Sequence, residues 1–198
     1  MRNAILLILL GIFFFQGKTA DQPKSLFDRF TKSFDVVGLP FAIDENFMQD
    51  RYVNPEKFKK MDPIFFEYIF SEADKERILA ECGGYEDIRS KIHHAFVGRV
   101  NLSPKFISLI YTETILNGEG DSTTYYLNTY SFDGFLISRM ALAEFENIGT
   151  TALFEGYIFD MENVFKIKKV YDIPGEIQKL ARFNIVINKK GEGVEIEG

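Results

Sequence analysis

The chain has 198 residues, 46% of them apolar and 26% charged, and its 23 basic and 29 acidic side chains leave a net charge of −6. That length holds one ordinary globular domain with a real core and is short for two. The acidic balance argues against non-specific binding to nucleic acid or anionic lipid, both of which need a basic face. The only cysteine is Cys82, so no intramolecular disulfide can form and the core must supply the stability.

The first residues, MRNAILLILLGIFFFQGKTA, set Arg2 ahead of an apolar run from Ala4 to Phe15 and end in the small residues Thr19 and Ala20. This is the layout of a secretory signal peptide, assigned to residues 1–20. At about 1.5 Å per residue the apolar run spans roughly 18 Å, short of a ~30 Å hydrocarbon core, so a permanent transmembrane helix is the poorer reading. Lys18 stands where a cleavage site prefers a small residue, which keeps a retained signal anchor as the alternative. No cysteine follows the apolar run, so the lipid of a lipoprotein has no acceptor. Cleavage after Ala20 removes Arg2 and Lys18, leaving 23 − 2 = 21 basic against 29 acidic residues, a charge of −8. Residues 21–198 then form one globular domain, with an arm and helical part over 21–92 and an antiparallel meander over 93–198.

In the first part, Phe27, Phe30 and Phe34 recur at spacings of three and four before Gly38 and Pro40, which predicts a short amphipathic helix or an ordered arm. Asp62 followed by Pro63 reads as an N-cap and first helical position. Helices are expected over Ser71–Cys82 and over Tyr85–Lys91, the first stopped by Gly83 and Gly84. From His94 onward the pattern turns to alternation. Phe183, Ile185 and Ile187 share one face opposite Arg182, Asn184 and Asn188, and Val194 and Ile196 alternate with Glu195 and Glu197. Phe165 and Ile167 alternate with Lys166 and Lys168, predicting a dry and a wet face in that order.

Four hairpin tips, near Lys105, Gly134, Asn163 and Gly191, are separated by 29, 29 and 28 residues (134 − 105, 163 − 134, 191 − 163). Gly134, Asn163 and Gly191 are expected to tolerate positive φ there. Looser connections are expected at LNGEGDST, ENIGTT and DIPGEIQ. The fold class is therefore mainly β with a minor α part: about eight antiparallel strands in a meander, forming a rolled sheet, barrel or sandwich, with one or two short helices N-terminal to it. Tyr125 and Leu127 fall on one face of their strand and Tyr126, Tyr130 and Phe132 on the other. Part of the sheet must then be covered twice, and the N-terminal helical part is the expected cover.

Asn117, Glu119 and Asp121 offer oxygen donors at alternate positions, as a calcium loop does, but the sixth-position glycine and distal glutamate of an EF-hand are missing, which favours an ordinary hairpin loop. His93 and His94 are the only histidines; as neighbours on a strand they point to opposite faces and do not share one ion. Glu144, Glu146 and Glu155, on or beside adjacent strands, are candidates for a glycosidase-type carboxylate pair, against the alternative of solvated carboxylates. Cys82 has no activating neighbour and reads as a packing residue. Tyr111, Tyr125, Tyr126, Tyr130, Tyr157 and Tyr171 all fall on the expected sheet, as sugar-stacking platforms or, for most, as core. No catalytic residue and no cofactor are assigned.

The leader, the FDRF…LPFAID segment from Phe27 to Asp44, the short helical region and the terminal hairpins ending in FNIVINKKGEGVEIEG together resemble small exported bacterial β-rich proteins of unknown function. The resemblance implies a periplasmic, cell-surface or extracellular location and carries over no catalytic residues. Many of those proteins are lipoproteins, from which this chain departs by lacking the lipid-bearing cysteine. The leading expectation is an exported, non-catalytic binding or structural module of the cell envelope, acting on a protein, peptide or glycan. A small-ligand-binding β-barrel is the first alternative and a carboxylate-dependent hydrolase the second.

Overall fold

Alternating apolar positions from Ile92 onward produce strands because each puts one row of side chains on a face that can be covered. A computed structural model of the chain describes residues 22–71, 76, 92–117, 120–146, 152–171 and 177–197. Eight strands follow one another as a meander: β2 (Ile92–Val100), β3 (Ile107–Asn117), β4 (Gly120–Tyr130), β5 (Leu136–Glu146), β6 (Ala152–Ile158), β7 (Val164–Tyr171), β8 (Ile177–Ile187) and β9 (Gly193–Glu197). Every neighbouring pair is antiparallel. A ninth short strand, β1 (Phe41–Ile43), was not foreseen and pairs with β6, placing Phe41 opposite Ile158 and Ile43 opposite Gly156.

The sheet is not closed, which removes the barrel from the three expected forms. The reason lies between β5 and β6, which share only the Glu144–Phe154 pair before they part. β1 then takes the place beside β6 that β5 has left. Gly156 makes the parting possible: a Cβ there would lie 2.6 Å from the Leu142 carbonyl oxygen and 2.5 Å from its Cγ. The two halves of the sheet thus face each other as layers. Between them lies one core, with Val100, Ile110, Leu127 and Leu142 from the first layer and Ile158, Val164 and Ile185 from the second.

The opposite face of β2–β5 is covered by the N-terminal segment, as expected. Helix α1 (Gln22–Lys32) and the turn after it bury Phe27, Phe30 and Phe34. Each such burial is worth about 2 kcal/mol. A 3-10 turn (Pro63–Phe65) leads into the short helix α3 (Phe66–Ile69), and Asp62 caps it by accepting the Ile64 N–H at 3.0 Å. These elements seal a second core with Phe96, Leu109, Tyr111 and Tyr130. Tyr125 and Leu127 face the first core and Tyr126 and Tyr130 the second, but Phe132, expected beside them, lies in the turn past the end of β4 and is exposed. The helices expected over Ser71–Cys82 and Tyr85–Lys91 lie outside the described residues save for Ser71 and Glu76, and Cys82 lies outside them altogether.

Several local expectations are corrected. Gly134 and Gly191 do have positive φ, 93° and 91°, but Asn163 does not. The three hairpins β4–β5, β6–β7 and β8–β9 close alike, with Ser131, Phe159 and Asn188 N–H donating to the carbonyls of Phe135, Asn163 and Glu192. The position equivalent to the glycines is therefore Glu162, and that turn is held instead by Asp160, whose carboxylate accepts from the Glu162 and Asn163 backbone N–H groups. In the LNGEGDST stretch, expected to be a loose connection, β3 and β4 stay paired as far as Asn117 and Gly120. The ENIGTT and DIPGEIQ connections lie largely outside the described residues.

The faces of β7 are the reverse of the expected ones. Val164 and Lys166 are buried, and Phe165 lies on the outer face with its ring 5.2 Å from Tyr157 and 5.9 Å from Phe159. Lys166 is tolerated inside because its ammonium lies 4.9 Å from the Phe154 ring and 2.8 Å from Glu195. β9 is exposed along most of its length: Glu195 reaches Lys166 from an exposed position, and Val194 and Ile196 are exposed. A charge on an edge strand helps to blunt the edge against further pairing.

Candidate functional site

The chain leaves β1 through Asp44, whose carboxylate caps helix α2 (Glu45–Val53) by accepting the Phe47 N–H at 2.9 Å. Asn54 and Pro55 end the helix, Pro55 opening a 3-10 turn. The Glu45 N–H donates to Glu155 of β6 at 3.0 Å, and Met48 enters the first core. The helix is thereby laid across the end of the two layers, over the face of β2–β4 that carries Ala95, Thr112 and Tyr125. It does not fill the space beneath it: a cleft of about 550 Å3 remains, with Arg51, Phe58, Thr112, Thr123, Tyr125 and Phe145 among its walls.

Arg51 is the unusual member. It is only 8% exposed, and its Nη2 donates to the Thr112 hydroxyl at 2.8 Å. Its Nη1 is buried without a hydrogen-bond partner. The guanidinium lies 4.0 Å from the Phe58 ring centre and 5.6 Å from that of Tyr125. Burial lowers its pKa from 12.5 to about 10, and burial likewise raises Tyr125 to about 12. No carboxylate pairs with Arg51 among the described residues. Lower down the cleft, the Thr114 and Thr123 hydroxyls share a hydrogen bond of 3.0 Å.

The two histidines part as their adjacency requires. His93 is exposed and lines the cleft. His94 is 3% exposed, with its ring among Phe66, Phe70 and Tyr111. Its Nε2 meets Glu113 Oε2 at 3.1 Å, and Arg139 Nη2 meets the same oxygen at 2.9 Å. An ionised carboxylate only accepts, so His94 donates from Nε2, and its Nδ1 is buried without a partner. Burial pushes the Glu113 carboxyl upward, but the hydrogen bonds and charges of His94 and Arg139 outweigh it and hold the group below its ordinary range. Arg139 in turn stacks on Tyr126 at 3.9 Å.

The remaining candidates disperse. Asp121 lines the cleft opposite Leu116 in the strand register, Asn117 is described in its backbone only, and Glu119 lies outside the described residues. Among the described residues no three His, Cys, Asp or Glu side chains are grouped as metal ligands would be. Glu155 is buried and saturated: it accepts from Lys169 at 2.6 Å, from the Tyr157 hydroxyl at 2.6 Å and from the Glu45 N–H. Burial raises its pKa and these donors lower it further than that, for a net fall. Glu144 is half-buried on β5 and does not line the cleft, and the Glu146 side chain is not described. Tyr111, Tyr125 and Tyr130 are core residues, and Tyr126, Tyr157 and Tyr171 are half-buried. Tyr171 donates its hydroxyl to Glu45 at 2.9 Å, tying β7 to the start of α2.

Arg51 was missed in the sequence because its partners, Thr112 and Tyr125, lie more than sixty residues away. The helix that carries it had readable ends, Asp44 before it and Asn54-Pro55 after it.

Fold and cleft together define a two-layered antiparallel meander with a ligand-sized space roofed by one helix. No family model, curated protein or solved structure matches the chain.

Proposed function

We propose that the protein is an exported, non-catalytic binding module of the cell envelope whose ligand is a small molecule held in the cleft beneath α2. The cleft carries this reading. Its volume falls in the ~300–1,000 Å3 range of small-molecule sites, and it has the mixed lining those sites use, apolar side chains with a few converging polar groups. The same observation favours the small-ligand alternative over recognition through sheet edges, although the site is a cleft at the end of two layers and not a barrel lumen. The hydrolase reading lacks support from the geometry, because Asp121 is the single carboxylate lining the cleft among the described residues.

N-phenyl-1-naphthylamine, a neutral fluorescent probe, is expected to bind the chain at one equivalent, and Thr123→Phe, which fills the cleft from the floor, is expected to abolish that binding with the circular dichroism spectrum retained. Unchanged probe binding in a folded Thr123→Phe protein places the ligand elsewhere. Export rests on the residues 1–20 pattern and on the resemblance; fractionation followed by N-terminal sequencing of the exported form is expected to find Asp21 first.

A further inference from the structure

We propose that the ligand of this cleft is an organic carboxylate with an apolar body, its acid group paired with Arg51. The inference rests on the cleft being the ligand site and adds the chemical class of the occupant.

Arg51 is a guanidinium taken out of water with one hydroxyl, two aromatic faces and no counter-charge around it. A cation buried without an anion is costly, and the cost is recovered when an anion arrives. Besides Tyr52 and Tyr125, the other ionisable groups lining the cleft among the described residues are Lys60, His93, His94 and Asp121. Asp121 does not neutralise Arg51: it stands opposite Leu116, four residues along β3 from Thr112, roughly 13 Å at the rise of a strand. The lining is thus cationic at the Arg51 end, in a chain whose net charge is −6, and exposed Lys60 adds to the local attraction for an anion.

The shape of the donor suits a carboxylate. A guanidinium presents its N–H groups as a planar fork that a carboxylate meets with two parallel hydrogen bonds. Thr112 takes one of the two N–H groups of Nη2 and Nη1 has no partner, so the fork keeps donors for an anion. Nη1 is screened from solvent, so pairing with a ligand requires a side chain beside the guanidinium, such as the half-buried Phe58 ring 4.0 Å from it, to give way. The rest of the space asks for something other than charge. Met48, Val53, Leu116 and Phe145 line it, and about 550 Å3 is far more than an acid group occupies. An inorganic anion would leave those walls wet, whereas an aliphatic or aromatic body covers them.

Calorimetric titration of the chain with 4-phenylbutyrate, with its neutral analogue 4-phenylbutyramide and with inorganic phosphate tests the assignment. The carboxylate is expected to bind about tenfold or more tightly than the amide, the margin of one charge-assisted hydrogen-bonded pair. Arg51→Met is expected to bring the carboxylate down to the affinity of the amide, with the circular dichroism spectrum retained. If that variant does not fold, the comparison of ligands on the unaltered chain decides. Equal affinity for acid and amide, or phosphate binding as tightly as the carboxylate, overturns the inference and leaves the cleft as a ligand site. Failure of the neutral probe to bind as well removes both.

Discussion

Glu113 shows how a single carboxylate organises the interior of this protein. It joins β3 to β2 through His94 and to β5 through Arg139, so one oxygen holds three strands in register on the face that α1 and α3 cover. Replacing it by glutamine leaves two buried donors facing a weaker acceptor, and Glu113→Gln is expected to destabilise the fold by about 3 kcal/mol, measured as a lowered urea midpoint. The direction of its pH dependence also follows. A carboxyl whose pKa is lower folded than unfolded stabilises the fold above the unfolded value, near 4.5, and that stabilisation is lost as pH falls through the folded value. Glu155, lowered by Lys169 and Tyr157 against the opposing effect of burial, acts in the same sense. The urea midpoint is therefore expected to drop on acidification below about pH 4.5, and Glu113→Gln to show a shallower drop than the unaltered chain.

Among the elements, β5 and β6 decide the architecture, because their early parting turns one meander into two layers. Gly156 stands at that point, against the Leu142 carbonyl. Gly156→Ala is expected to cost about 2 kcal/mol or more through overpacking, again read from the urea midpoint; a cost near zero would mean that the layers have room to slide. Alternation predicted each strand from β2 to β9 because a period of two is a local property. Which face is dry is not local, and there the pattern misled. In β7 the Phe165 side looked buried, yet the lysine side faces inward because Glu195 and the Phe154 ring receive the ammonium. The tip at Asn163 misled for a related reason: Asp160 supplies by hydrogen bonding what glycine supplies by backbone freedom. The site was the least legible part. His93 and Asp121, both flagged on the sequence, do line the cleft, but the residue that gives it its charge is brought there by pairing between distant segments.

At the scale of the molecule, all the strand pairings but one among the described residues join neighbours in the chain. The exception is β1 with β6, where Phe41 meets Ile158 across more than a hundred residues. Pairings between neighbours close short loops and need nothing else in place, whereas β1 has no strand to pair with until β6 is set. What assembles last across a small interface also opens most readily, so native-state amide exchange is expected to report a lower opening free energy for Phe41–Val53 than for β3 and β4. Equal protection in the two regions would mean that the roof and the floor of the cleft come apart only together. With unequal protection, the cleft admits and releases its contents by a local excursion of one strand and one helix, while the meander below keeps its hydrogen bonds.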